Sequence, residues 1–361
     1  MPQPGACRGR RTGRRHASQA VSRGRPMNRS ASRTVLLDAA LVGVIAILIV
    51  ASLLIGQVHL PLGDVIGGAL GAAPAKSTII IQQLRLPRTL LALLAGAGLG
   101  LAGAVLQGFL RNPLADPGVI GISAAGSLGA VVAIYFGIYA ASAWVIPLGA
   151  MSTCAVATII LYVIAARNVG TLTLLLAGIA INSLCLALIS LCMNLSTNPY
   201  AVSEMVFWLM GSVSNRTLFD LGIAAPFVLA GILILLRSGK VLDAMSLGEE
   251  VARSLGVALQ RERIFLIGGV ACIVGGVVSV AGGIGFVGLV VPHLMRPLAG
   301  HLPSRILVPS MLGGAALLLA ADIVVRLMAN GPELQLGVLT SLIGAPFFFY
   351  LIVRRKALSD E

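Results

Sequence analysis

Charge is scarce in this chain, and acid is scarcer still. Only 11% of the 361 residues are Asp, Glu, Lys or Arg, and 13 acids stand against 26 bases. Soluble domains carry about 25% charged residues, so an ordinary water-facing surface is excluded. Cysteine is sparse as well. Cys7, Cys154, Cys185, Cys192 and Cys272 form no CxxC pair, and four of them lie in apolar runs. That excludes a disulfide framework, and Cys185 and Cys192, seven apart on one helix face, read as small packing residues. Catalytic signatures are missing too: there is no HExxH, no GxSxG and no credible serine, histidine and carboxylate set. Nor is there a GxxxxGK[ST] loop, so the chain holds no nucleotide through a P-loop of its own. It is expected to be no enzyme, to bind no cofactor and to hold no metal. Any energy must come from elsewhere.

What is present is hydrophobic sequence. Hydrophobic residues make up 57%, mean hydropathy is +0.97, and there are 43 glycines. The fold class is therefore all-α, a polytopic membrane protein whose helices approach through small residues. Apolar runs of the roughly 20 residues needed to cross a bilayer fall near 35–56, 89–109, 119–139, 143–165, 170–193, 218–236, 264–282, 306–328 and 335–353. A further run, 282–300, is broken by glycines and by Pro292 and Pro297. Parity decides it. The basic carboxyl end (Arg354, Arg355, Lys356) and the basic amino tail both belong on the cytoplasmic side, which requires an even count. Ten transmembrane helices in one bundle per subunit follow, multi-pass, with both termini cytoplasmic.

Residues 1–33 contain nine arginines and no acid. They read as a disordered basic tail, and Met27 offers a start of its own. Residues 34–356 form the ten-helix domain, interrupted by a cytoplasmic loop at 237–263, and 357–361 is a short tail. The net charge of +13 is concentrated in tails and inner loops, so it speaks for membrane topology and not for nucleic acid. Arg111, Arg167 and the 237–263 and 296–305 loops fall inside. Arg85, Arg88, Arg216 and Arg326 fall outside, against the rule. On spacing alone Arg85 and Arg88 are either helix caps snorkelling at the interface or residues awaiting an anionic partner.

Few ionisable groups lie within the spans, where they are costly and functional. Asp322 and Arg326 have the spacing of a local helical ion pair, and His293 follows Pro292 in the broken span. This disfavours an ion-coupled carrier, which needs mid-membrane carboxylates. LRNPLADPGVIG (110–121) is a polar break after the second span, with Asn112 and Pro113 as hinge or pathway candidates. In the 237–263 loop, Ser246 and Glu249 suggest a capping box opening a short helix that stops at Gly256. Its apolar stripe of Leu247, Val251 and Leu255 needs a surface to cover it, either membrane lipid or a cytoplasmic protein. Glu249, Glu250 and Arg253 are mixed in sign and favour the protein.

The segments RLPRTL (85–90), GAVLQGFLRNPLADPGVIGISAAG (103–126), LLLAGIAIN (174–182), WLMGS (208–212), LGEEVARSLGV (247–257), GGIGFVGLVVPHLMRPLAGH (282–301), ADIVVR (321–326) and ELQLGVLTSLIGAPFFFYL (333–351) carry a family likeness. The chain resembles the permease subunits of binding-protein-dependent ABC importers for iron-siderophores, haem and vitamin B12, in order from about residue 35 onward. The resemblance implies a bacterial cytoplasmic (inner) membrane protein. It implies a homodimer, or a heterodimer with a related permease, two cytoplasmic ABC ATPase subunits and an external solute-binding protein. A ferric siderophore is the expected cargo, with vitamin B12 or haem as the alternative. By position, Arg85, Arg88 and Arg326 match arginines that meet carboxylates of the binding protein. Leu247, Gly248, Glu249, Glu250, Val251, Leu255 and Gly256 match the segment that couples to the ATPase. Gln107, Asn112, Pro113, Pro292 and His293, with Arg296, match signature positions of the pathway or its hinges. Residues 300–305, GHLPSR, depart from the family's G-x-D-H-R pattern, which leaves that loop's contacts open.

Overall fold

The computed structural model describes residues 27–359 apart from Gln57, residues 168–169 and residues 329–333. Helix α1 (Met27–Leu54) is the first apolar crossing. It begins inside the expected basic tail, because no glycine or proline interrupts MNRSASRTVLLDAALV and an apolar helix propagates back through it. Residues 1–26 of that tail lie outside the described residues. Short α2 (Leu62–Leu70) is followed by α3 (Ala75–Ile79), a π-helical turn (Ile80–Arg85) and α4 (Leu86–Phe109), and the last three merge into one 35-residue helix. At 1.5 Å per residue that helix is about 50 Å long, well beyond the ~30 Å hydrocarbon core. Its first turns, which carry Arg85, are therefore more than a crossing needs.

A loop and a 3-10 turn lead to α5 (Ile122–Tyr135), followed by α6 (Val145–Ala166), α7 (Thr171–Leu195), α8 (Pro199–Met210) and α9 (Leu218–Leu236). Helices α10 (Gly239–Ser246) and α11 (Glu249–Ser254) fill the 237–263 loop. The chain ends with α12 (Leu259–Ala281), α13 (Val287–Ala299), α14 (Pro303–Met328) and α15 (Leu336–Ser359). Among the described residues seven helices are long and apolar enough to cross a membrane, and three shorter apolar helices, α5, α13 and the first part of α15, bring the candidate crossings to ten. Among the described residues there is no strand.

Helices α4 and α12 form the centre of the bundle. A Cβ on Gly96 or Gly100 of α4 would strike the backbone oxygens of Gly314 or Ser310 on α14, so these glycines let the two helices touch backbone to backbone. The broken span is helical only from Val287. Before it, Gly282 (φ 71°) and Phe286 (φ 67°) take left-handed backbone, and α13 alone, at about 20 Å, is too short to cross. Non-helical backbone at this depth must be satisfied by protein. Ser212 N–H donates to the Ala281 carbonyl (2.7 Å) and Gly337 N–H to that of Gly211 (3.1 Å). The WLMGS, GGIGF and QLG stretches, far apart in sequence, thus meet at one node.

Candidate functional site

At one end of the bundle the arginines converge. Arg85 donates to the carbonyls of Leu53 (2.6 Å), Leu54 (3.0 Å) and Val58, so it caps the carboxyl end of α1, where free carbonyls and the helix dipole favour a cation. Gly56 is a glycine because a Cβ there would come within 2.7 Å of the Arg85 guanidinium. Asp322, 1% exposed, lies between Arg88 and Arg326. It accepts from Arg88 Nε at 2.8 Å and from Arg326 Nε and Nη2 at 2.9 and 2.5 Å. Arg326 also donates to the Ser52 carbonyl at 2.8 Å. The expected local ion pair is therefore one half of a shared, buried one.

Arg85, Arg88 and Arg326 line a cavity of about 390 Å³ together with Ile80, Leu84, Asn215 and Arg216. Arg216 is the residue that sequence reasoning passed over. It lies 5.0 Å above the Trp208 ring, a cation–π stack that joins the cavity wall to α8. Burial lowers its pKa, with Asp220 opposing the shift, and its Nε has no hydrogen-bond partner among the described residues. Two signals for this corner were legible: the Asn198–Pro199 start of α8 and the Thr217-x-x-Asp220 capping box of α9. Among the described residues four arginines line the cavity and no acid does, Asp322 engaging Arg88 and Arg326 from behind it, which suits the cavity to an anion.

Toward the other end of α4 the hinge candidates meet. Pro292 has no N–H, so the carbonyl of Gly288 loses its helical partner. The buried Gln107 amide supplies the replacement, donating to the Gly288 and Leu289 carbonyls at 3.2 Å, while its oxygen accepts from Arg296 at 2.7 Å. Asn112 N–H donates to the Gln107 carbonyl (3.2 Å), and Asn112 Oδ1 accepts from Leu114 N–H (3.0 Å) in the turn that holds Pro113. His293 belongs to a different contact, edge-on to Phe347 of α15 at 5.8 Å. In the same loop Asp116 accepts from Gly118 N–H at 2.8 Å. Burial pushes its pKa up from 3.8 to about 6, against the bonds from the Gly118 and Leu289 backbone.

At that end α10 and α11 pack on the bundle but keep one face bare. Leu242, Met245 and Ala252 are buried, whereas Leu247 (66% exposed), Val251 (43%) and Leu255 (62%) project outward. The expected Ser246–Glu249 capping box does not form. Ser246 is the last residue of α10 and bonds the Asp243 carbonyl at 2.6 Å, while Gly248 (φ 118°) turns the chain into α11. Only glycine takes that backbone easily, and the turn removes Ser246 from capping distance. Glu249 instead accepts from buried Arg263 of α12 at 2.7 Å, which ties α11 down. Glu250 is exposed, and Gly256 (φ 84°) ends the segment as expected. Among the described residues no group of three or more His, Cys, Asp or Glu could hold a metal.

With this geometry in hand, comparison with known proteins is specific. Residues 44–354 match the model of the FecCD transport family. An uncharacterized ABC transporter permease protein of Bacillus subtilis, YvrB, is 36% identical over 324 residues, covering 86% of this chain and 91% of that one. The vitamin B12 import system permease protein BtuC of Klebsiella pneumoniae is 37% identical, covering 78% and 85%. The cobalamin import system permease protein of Halobacterium salinarum is 39% identical, covering 78% and 76%. Among solved structures, an inward-facing conformation of a metal-chelate type ABC transporter superposes with a TM-score of 0.79 at 33% identity, covering 88% of this chain and 98% of that chain.

Proposed function

The chain belongs to the FecCD transport family and is the multi-pass permease subunit of an ABC importer; on that premise we propose that it passes a preformed metal chelate from an external binding protein to the cytoplasm. The observation that carries this reading is the convergence of Arg85, Arg88, Arg216 and Arg326 on one cavity. A carboxylate from each lobe of a binding protein would find there charge that Asp322 only partly neutralises. At the other end, the bare stripe of Leu247, Val251 and Leu255 suits an ATPase subunit, which would bury apolar surface that water now covers. The arginine end then faces outward and both termini face the cytoplasm of an inner membrane. Two copies of this chain, or this chain and a related permease, would enclose the pathway, and a hinge at Gln107, Pro292 and Asn112 would let it open. A chelate arrives with its metal already coordinated, so the pathway needs shape and weak contacts and no metal ligands.

A ferric siderophore is one cargo of this class. Cobalamin is the second, and the names of the Klebsiella and Halobacterium relatives favour it. The test is uptake in cells lacking their own importers and supplied with this permease, its ATPase and its binding protein. Radiolabelled cobalamin and a labelled ferric siderophore are offered in turn, with and without collapse of the proton gradient. Uptake of either that stops on ATP depletion and survives loss of the gradient supports the proposal. Uptake that follows the gradient refutes it.

A further inference from the structure

A groove of about 710 Å³ runs between α6, α9 and α12, from Trp144 at the start of α6 down to Ile159. It lies wholly on three membrane crossings. Its lining holds no charged side chain, and its two hydroxyls are already spent on their own helix. Ser152 donates to the Gly149 carbonyl (2.9 Å) and Thr158 to that of Cys154 (2.7 Å). The groove therefore offers an occupant no side-chain hydroxyl still seeking a partner, and a polar occupant would be stranded there.

Two of the four glycines that line the groove argue that the space is kept open, whereas Gly275 and Gly276 pack against Cys154 and Val228. A Cβ on Gly222 of α9 or Gly268 of α12 would meet nothing within 4 Å. A helix-interior glycine costs about 1 kcal/mol relative to alanine. At Gly96 and Gly100 the close approach of α14 gives that cost a return, and here no neighbouring helix does. At the rim, Trp144 packs edge-on against Phe219 at 4.8 Å, a pair of the kind that sits at headgroup level. From Trp144 to Ile159 the helix rises about 22 Å, more than half of the ~30 Å hydrocarbon core.

We propose that this groove is a binding site for one phospholipid acyl chain, entering from the leaflet at the arginine end and lying against Gly222 and Gly268. The site is independent of the cargo and of the binding protein.

The chain has two tryptophans, so Trp208→Phe leaves Trp144 as the only reporter of tryptophan fluorescence. In bilayers of phospholipid brominated on the acyl chain, Trp144 should be quenched, and part of that quenching should persist after dilution into unbrominated lipid. Gly268→Leu, and separately Gly222→Leu, should abolish the persistent part. Gly43→Leu on α1, where a Cβ also meets nothing, should keep it. Equal persistent quenching in the parent and in both groove-filled variants would overturn the proposal. So would a cross-link between Cys272 of two copies in a chain whose other cysteines are alanine, because it would give the groove to a second permease.

Discussion

The two ends of the bundle solve opposite problems. At the arginine end, charge is buried: Asp322, Arg88 and Arg326 are 1%, 11% and 5% exposed. At the α10–α11 end, apolar side chains are exposed and an ion pair, Arg263 with Glu249, is 26% exposed on its acid side. The first arrangement is expensive to disturb and suits recognition by charge, which sets orientation and association rate. The second costs little in the isolated chain and suits recognition by burial, which sets residence. The difference teaches that three of the arginines, Arg85, Arg88 and Arg326, have a structural purpose whatever they dock. They hold α1, α4 and α14 together before any partner arrives, so a loss of transport on mutating them reports docking only if the fold is shown to survive.

The sharpest break of the comparison is to remove one acid from each end. Asp322→Ala takes the carboxylate from two buried guanidinium groups and is expected to cost about 3–5 kcal/mol. Glu249→Ala should cost less, about 1–3 kcal/mol, because it strips one buried guanidinium, that of Arg263, of a carboxylate that is itself part-exposed. Thermal unfolding in detergent measures both, and equal losses would erase the distinction between the ends.

Asp116 sharpens the same point, as a buried carboxyl given N–H donors and no cation. With its pKa raised from 3.8 to about 6, the folded chain keeps a proton that the unfolded chain releases. Stability should therefore fall as pH rises through that window and level off above it. The shift corresponds to about 3 kcal/mol. Asp116→Asn should remove this slope and melt higher than the parent at pH 7 but not at pH 4; a parallel pH profile for the two proteins would contradict it.

Smaller effects are expected at the contact faces. Leu247→Asp or Val251→Asp should weaken ATPase association by about 2 kcal/mol while changing the stability of the permease alone by about 0.5 kcal/mol or less. Co-purification in mild detergent, beside a melting curve, separates the two. Arg216→Gln is the gentlest test of the other end, since Arg216 caps no helix. Losing its stack on Trp208 should cost about 1 kcal/mol. Association with the binding protein should slow, and that deficit should shrink above about 0.15 M salt as screening removes the advantage of the parent. A deficit that does not change with salt would assign Arg216 to packing.

Some of this was legible without coordinates, for definite reasons. Lipid forces each crossing to close its own hydrogen bonds, so ten apolar runs become ten crossings, and proline and glycine in 282–300 mark where one of them is broken. The 237–263 segment forms short helices ended at Gly256, and Leu247, Val251 and Leu255 are bare as expected, although Leu247 lies before the Gly248 turn and not on the helix of Val251. Its start was misread, since a serine and glutamate at capping distance are no guide once Gly248 turns the backbone between them.

What the sequence determined by itself was the class, the number of crossings and the family, because these depend on composition and local order that every residue reports independently. The tertiary structure alone decided which distant groups share a space. Gln107 repairs the hydrogen bond that Pro292 removes 185 positions later, Asp322 serves Arg88 as well as its own helical neighbour Arg326, and Arg216, stacked on Trp208, shares a cavity with the three other arginines. Each contact depends on helix crossings set by glycines such as Gly96 and Gly100, where backbones touch. No periodicity along one helix records which face of another it will meet.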